Sequence, residues 1–115
     1  MSKLIRFISM LALVFGFNST SFSKVVGDKI ILGAAVSLTG KYSTNGKHTQ
    51  NGYDMAVERI NKLGGVKVGG KTYKFEIIYY DDESNSGRAA QLAERLIKQD
   101  GVKYMLGPYS SGLTK

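Results

Sequence analysis

The sequence alternates apolar runs of strand length with segments that carry apolar residues at helical spacing, and this alternation restricts the fold more than any other feature. The first run spans residues 29–38, and the first helical pattern spans about 46–63. A second run (72–80), a second helical pattern (about 86–100) and a third run (102–106) follow. This order predicts parallel strands joined by right-handed crossovers. We therefore expect an α/β fold with a Rossmann-like parallel sheet, in which the first strand lies between the second and the third (order 2-1-3).

Small polar residues and glycines mark the predicted ends of the helices. Thr44 or Asn45 is expected to cap the first helix, because each offers a side-chain oxygen to free backbone N–H groups. Asn85 or Ser86 is expected to cap the second helix in the same way. Gly64 can adopt the left-handed conformation that ends a helix, so the first helix is expected to stop there.

Each helical pattern predicts a buried face. On the first helix the face comprises Tyr53, Ala56, Val57, Ile60 and Leu63, and on the second it comprises Ala89, Ala90, Ala93, Leu96 and Ile97. Between the helices, the Gly-Gly pair in residues 68–71 predicts a hairpin turn. The strand that follows alternates apolar and polar residues, which indicates one partly exposed face near a sheet edge.

Residues 1–23 have the order of a secretory signal peptide. Two positive charges, Lys3 and Arg6, precede a short apolar run at 8–17, and a small polar segment ends at Ser23, where we place cleavage. The apolar run is shorter than the roughly 20 residues that a membrane-spanning helix needs, although an N-terminal membrane anchor is the alternative. The sequence contains no cysteine and hence no site for a bacterial lipid anchor. These features predict a mature chain from residue 24 onwards that is located in a periplasm.

Composition argues against nucleic-acid binding and against the common enzyme classes. The formal charge is +7, but the lysines are scattered singly and form no basic patch. No G-x-G-x-x-G follows the first strand, and residues 40–48 depart from a phosphate-binding loop by one extra residue and by His48 in place of Ser or Thr. His48 is the only histidine, and we interpret it as a solvated side chain. We therefore expect no enzyme and no cofactor.

The topology places a candidate ligand site at one edge of the sheet. Ligands of open parallel sheets bind beyond the carboxyl ends of the strands, where the strand order reverses, and here that is between the first and third strands. The loops 39–45 and 107–114 border this crevice. They offer hydroxyl and amide groups from Thr39, Tyr42, Ser43, Thr44, Asn45, Tyr109, Ser110, Ser111 and Thr114. Both loops are expected to lead into helix N-termini, which favours a small anion such as a carboxylate. Capping or turn formation is the alternative role for each residue alone.

The acidic segment 81–83 follows the second strand, at the outside of the predicted sheet. We expect it to lie away from the crevice. We also expect it to serve in loop and cap formation and not to bind a metal ion.

Several motifs, in this order and at these spacings, resemble the N-terminal lobe of the leucine/isoleucine/valine-type periplasmic binding proteins. These are the substrate-binding subunits of branched-chain amino-acid ABC transporters. The motifs are Ser-Leu-Thr-Gly (37–40), Asn-Gly-Tyr-Asp-Met-Ala (51–56), Ile-Asn-Lys-Leu-Gly-Gly-Val (60–66), Tyr-Asp-Asp (80–82) and Gly-Pro-Tyr-Ser-Ser (107–111). The resemblance covers residues 24–115.

The resemblance implies a type I periplasmic-binding-protein fold with two Rossmann-like lobes that close on a ligand, of which residues 24–115 would be part of the first lobe. It implies that Ser111 holds the ligand's carboxylate and that Asn45 contacts the ligand. It also implies that Ser84 and Ser110 lie near positions that form a disulfide in some members. The expected ligand is an amino acid or a related small carboxylate or amide, and the expected partner is an inner-membrane ABC permease. The alternatives are a ligand-sensing domain of a receptor or regulator on the same fold and a nucleotide- or cofactor-dependent enzyme.

Overall fold

The computed structural model describes residues 25–115. The predicted signal peptide therefore lies outside the described residues. The elements in chain order are β1 (Val25–Val26), β2 (Lys29–Val36), α1 (Ser43–Lys62), β3 (Val66–Val68), β4 (Lys71–Asp81), α2 (Ser86–Lys98), β5 (Tyr104–Leu106) and a 3₁₀ turn (Ser111–Leu113). Within residues 25–115, neither helix combines the length and apolar character needed to cross a membrane.

The sheet has β2 at its centre. Strand β4 runs parallel to β2 along its whole length, and β5 runs parallel to β2 on the other side. The predicted order 2-1-3 is confirmed, with β4, β2 and β5 as the second, first and third strands. Two short strands extend this core, since β1 pairs antiparallel with β2 and β3 pairs antiparallel with β4. The β3–β4 connection is the hairpin predicted at residues 68–71.

The core lies between β2 and α2. Ile31, Leu96 and Val102 are buried together, and Ile78 and Tyr80 pack against them. This face of the sheet is closely covered because glycine occupies position 33, where a Cβ atom would lie 2.9 Å from Val102 and 3.2 Å from Leu96. Glycine at this position of β2 thus allows α2 and the segment after it to pack closely on the sheet.

The predicted face of α2 is only partly correct. Ala89 and Leu96 are buried as expected, but the third buried residue is Leu92, while Ala90 and Ile97 are exposed. The buried positions follow the spacing of three and four residues that one helix face requires. Asn85 caps this helix as predicted, because its side-chain oxygen accepts a hydrogen bond from the Arg88 N–H.

Helix α1 is less buried than its apolar stripe suggests. Its only fully buried residue is Gly46, and two members of the predicted stripe, Ala56 and Leu63, are exposed. The helix packs closely on the sheet at its N-terminal end, and an apolar groove of about 520 Å³ lies between the sheet and the middle of the helix.

The boundaries of α1 also correct the prediction. The helix begins at Ser43, three residues earlier than expected, and Tyr42 precedes it without a side-chain cap. Neither Thr44 nor Asn45 is the N-cap, because both lie inside the first turn. At the other end, Gly64 has a φ of +101° and follows Leu63, the C-cap, as the sequence predicted.

Candidate functional site

The loops at 39–45 and 107–114 meet at one edge of the sheet. The Asn45 side-chain amide donates a hydrogen bond to the Tyr109 hydroxyl at 2.8 Å, and the rings of Tyr42 and Tyr109 lie 5.8 Å apart between centroids. A second link comes from α1, where the Tyr53 hydroxyl donates to the Gly107 carbonyl at 2.8 Å. We call the loop 39–45 the first loop and the loop 107–114 the second loop.

The predicted site residues fall into two groups. Thr39 and Ser110 support the backbone: the Thr39 hydroxyl donates to Asp81 at 2.7 Å, and the Ser110 hydroxyl accepts from the Gly112 N–H at 3.2 Å. Asn45, Tyr109 and Ser111 are exposed. No hydrogen bond joins the Ser111 hydroxyl to any residue within 25–115. Their contact with a ligand stays a prediction.

The electrostatics of the two loops differ. The first loop leads into the 20-residue helix α1, whose N-terminus carries a partial positive charge. In its first turn, Ser43 and Gly46 donate their N–H groups to the carbonyls of Gly40 and Tyr42. The second loop leads only into the three-residue 3₁₀ turn, because Leu113 and Thr114 bond three residues back. Within residues 25–115 this 3₁₀ turn is the only helical element after β5, and the expected second helix N-terminus stays a prediction.

The acidic segment, which we expected to lie away from the crevice, directly contacts the first loop, and this contact was not predicted. Asp81 Oδ1 accepts the N–H groups of Leu38 at 2.9 Å and Thr39 at 3.2 Å, and it also accepts the Glu83 N–H at 2.9 Å. Burial acts to raise the pKa of Asp81, but these hydrogen bonds and that of the Thr39 hydroxyl outweigh it and lower the pKa. The segment thus has the loop-forming role that the sequence predicted, at an unpredicted place.

Ser84 provides a second link between the acidic segment and the first loop. Its hydroxyl accepts the Tyr42 N–H at 3.1 Å and donates to the Thr39 carbonyl at 2.7 Å. The approach is close because residue 40 is glycine with a φ of +80°, and a Cβ atom there would lie 2.8 Å from Ser84 Oγ. The resemblance placed Ser84 near a bridging position, and in this chain hydrogen bonds to the first loop occupy its hydroxyl.

A buried polar pair lies beneath these contacts. Ser37 and Asp82 are both fully buried, and the Ser37 hydroxyl donates to Asp82 Oδ1 at 2.7 Å. The same oxygen accepts the Ser84 N–H at 2.8 Å. Sequence reasoning missed the roles of Ser84, Asp82 and Tyr53. The signal that was available for the first two is the adjacency of acidic and hydroxyl residues directly after a strand.

The described residues contain no group of three or more His, Cys, Asp or Glu side chains that could hold a metal ion. The acidic segment offers its carboxylates to backbone N–H groups and hydroxyls instead.

The chain thus has an open α/β sheet with a parallel centre, and polar loops meet beyond the carboxyl ends of its adjacent parallel strands. This architecture is typical of α/β proteins that bind ligands where the strand order reverses. The chain belongs to the periplasmic binding protein family, whose model matches residues 29–115.

Among curated relatives, a leucine-, isoleucine-, valine-, threonine- and alanine-binding protein of Pseudomonas aeruginosa is 32% identical over 113 residues, which are 98% of this chain and 28% of the relative. A Leu/Ile/Val-binding protein of Escherichia coli is 29% identical over 105 residues, 90% of this chain and 27% of the relative. The chain therefore spans about a quarter of the length of these relatives.

Among solved structures, the branched-chain amino acid transporter substrate-binding protein of Streptococcus pneumoniae, in complex with isoleucine, has a TM-score of 0.66 and 31% identity. The match covers 75% of this chain and 24% of that one. A solute-binding protein of an ABC transporter from Rhodopseudomonas palustris, in complex with 3,4-dihydroxybenzoic acid, has a TM-score of 0.54 and 32% identity, covering 68% of this chain and 20% of that one. These homologues are binding proteins and not enzymes.

Proposed function

We propose that the protein is the substrate-binding component of an ABC transporter, which captures an amino acid or a related small carboxylate or amide in the periplasm and delivers it to an inner-membrane permease. The observation that carries the proposal is the contact of the first and second loops through Asn45 and Tyr109. No bond is made or broken in this function, and closure of two lobes on the ligand is the mechanism.

The proposed site has a polar and aromatic character. Asn45, Tyr109 and Tyr42 cluster where the two loops meet, and the exposed residue Ser111 follows Tyr109 by two residues in the second loop. A carboxylate ligand would accept a hydrogen bond from the Ser111 hydroxyl and would be attracted by the N-terminus of α1. Since the Asn45 amide and the Tyr109 hydroxyl are polar, the ligand class includes amides and ring-bearing carboxylates beside aliphatic amino acids.

Calorimetric titration of the protein at its natural length tests this function. The ligands are L-isoleucine, L-glutamine and benzoate, and at least one is expected to bind. Ser111→Ala should then weaken binding by about 1–3 kcal/mol, the usual cost of losing a hydrogen bond to a charged group.

Thr72→Ala is the matched control, because Thr72 is an exposed hydroxyl residue near the start of β4, at the opposite end of the strands from the site. Equal affinities for Ser111→Ala and the wild type would remove Ser111 from the site. Failure of every small carboxylate and amide to bind would contradict the transport function.

A further inference from the structure

The last residue of the acidic segment and the residue after it adopt a backbone conformation that residues other than glycine rarely adopt. Glu83 has a φ of 55° and Ser84 a φ of 61°, in the left-handed region, and neither is glycine. The carboxylates of the two preceding aspartates hold this conformation, since Asp81 accepts the Glu83 N–H and Asp82 accepts the Ser84 N–H. Strained backbone that is held in this way is concentrated at functional sites.

The strained turn brings the Ser84 hydroxyl between two backbone groups of the first loop. It donates to the Thr39 carbonyl and accepts from the Tyr42 N–H at the same time, which a hydroxyl can do and a methyl group cannot. Asp81 binds the start of the same loop and the residue before it, through the N–H groups of Thr39 and Leu38. We call these two side chains the Asp81–Ser84 clamp.

The clamp acts on the segment that carries the site. Its contacts end at Tyr42, whose ring lies against Tyr109 and which directly precedes α1. Asn45, which bonds to Tyr109, lies in the first turn of that helix. Displacing Thr39 and Tyr42 would therefore displace the first loop's half of the crevice.

We propose that Asp81 and Ser84 are positioning residues for ligand binding, which keep the first loop in its binding-competent conformation before the ligand arrives. The proposal rests on the proposed function, because it assumes that the first loop contacts a ligand. A protein whose competent conformation is only fractionally populated binds with an affinity reduced by that fraction. Loss of the clamp should thus weaken binding without removing any ligand contact.

The test uses four variants of the protein at its natural length. Ser84→Ala and Asp81→Ala remove the clamp bonds, and Asp81→Asn keeps an oxygen that can still accept the backbone N–H groups. Ser86→Ala is the matched control, because it removes an exposed serine hydroxyl two residues from Ser84, at the start of α2. Stopped-flow binding of L-isoleucine and amide hydrogen exchange of residues 38–45 are measured for each.

We expect Ser84→Ala and Asp81→Ala to bind about tenfold more weakly. Because only the fraction of molecules in the binding-competent conformation changes, the association rate constant should fall while the dissociation rate constant stays unchanged. Exchange at 38–45 should be faster in both variants, and Asp81→Asn and Ser86→Ala should resemble the wild type.

Two results would overturn the proposal. The first is wild-type affinity in both alanine variants, and the second is unchanged protection of residues 38–45 in them. Absence of isoleucine binding in the wild type would count against the amino-acid assignment alone, because hydrogen exchange decides the clamp without a ligand.

Discussion

Replacing Gly46 with alanine should destabilise the protein, although alanine is the better helix former. Gly46 is the only fully buried residue of α1, and a Cβ atom there would lie 1.8 Å from the Ser37 carbonyl oxygen and 2.6 Å from its carbonyl carbon. Nonbonded carbon contacts are normally about 3.5 Å or longer, so the helix or the strand end must move by roughly 1.5 Å. Both obstructing atoms belong to the backbone and cannot rotate away.

The expected change in the free energy of unfolding is the sum of two opposing effects. Alanine in a helix interior is favoured over glycine by about 1 kcal/mol. Overpacking costs about 1–3 kcal/mol, and a clash with backbone atoms belongs at the upper end of that range. The expected net effect of Gly46→Ala is a loss of about 2 kcal/mol in the free energy of unfolding.

Gly52→Ala, in the same helix, is the matched control. An added Cβ at residue 52 meets nothing within 4 Å, so only the difference in helix propensity applies. The free energy of unfolding of this variant should therefore rise by about 0.5–1 kcal/mol. Urea unfolding of the protein at its natural length, read by circular dichroism, measures both variants. The reasoning would be refuted if Gly46→Ala were as stable as Gly52→Ala, because the backbone contact would then cost nothing.

Two further predictions concern other polar contacts of the lobe. Asn61→Ala should lower the free energy of unfolding, measured with urea, by about 1–3 kcal/mol. The Asn61 side chain forms hydrogen bonds with both the N–H and the carbonyl of Phe75 at 2.8 Å, and alanine leaves these two groups unpaired. The pKa of Asp81 is lowered in the folded state, so its contribution to stability is present above the ordinary value of 3.8 and is lost as the pH falls through the folded pKa. The stability difference between the wild type and Asp81→Ala should therefore shrink below pH 3.8, and a pH-independent difference would contradict this.

The order of the sheet could be predicted because it follows from the alternation of elements alone. Residues 29–38 form an apolar run of strand length, and Gly33 permits the close packing of α2 on the resulting strand. The handedness of the crossovers then places β2 between β4 and β5. No long-range contact had to be known.

The start of α1 could not be predicted in the same way. Residues 42–45 present four hydroxyl or amide side chains in succession, so local capping preferences do not single out one of them. The close approach of Gly46 to the Ser37 backbone accompanies the early start, and it is a packing contact between the helix and the end of the strand that capping preferences do not describe. The face of α2 was misjudged for a different reason: the prediction followed the run of alanines, although alanine indicates burial more weakly than a leucine such as Leu92.

The position of the acidic segment shows why the candidate site was only half predictable. The predicted topology correctly brought the first and second loops together, but it placed the loop after β4 away from the crevice. The adjacency of acidic and hydroxyl residues after β4 indicates a polar turn, but it does not identify the backbone groups of the first loop to which Asp81 and Ser84 bond. Side-chain bonds to backbone groups depend on the fold and not on the identity of the residue that receives them.

Burial of polar groups beside the first loop is best explained by preorganisation. Asp82 is fully buried, and its Oδ2 atom has no hydrogen-bond partner within residues 25–115, an arrangement that costs stability. Its Oδ1 atom binds both Ser37 and the strained Ser84, so the same residue fixes the end of β2 and the turn that supports the first loop. Ordering a loop on binding subtracts from affinity, whereas a loop ordered in advance does not. Under the proposed function, the stability lost at Asp82 would be offset by higher ligand affinity, because the first loop would already be ordered before binding.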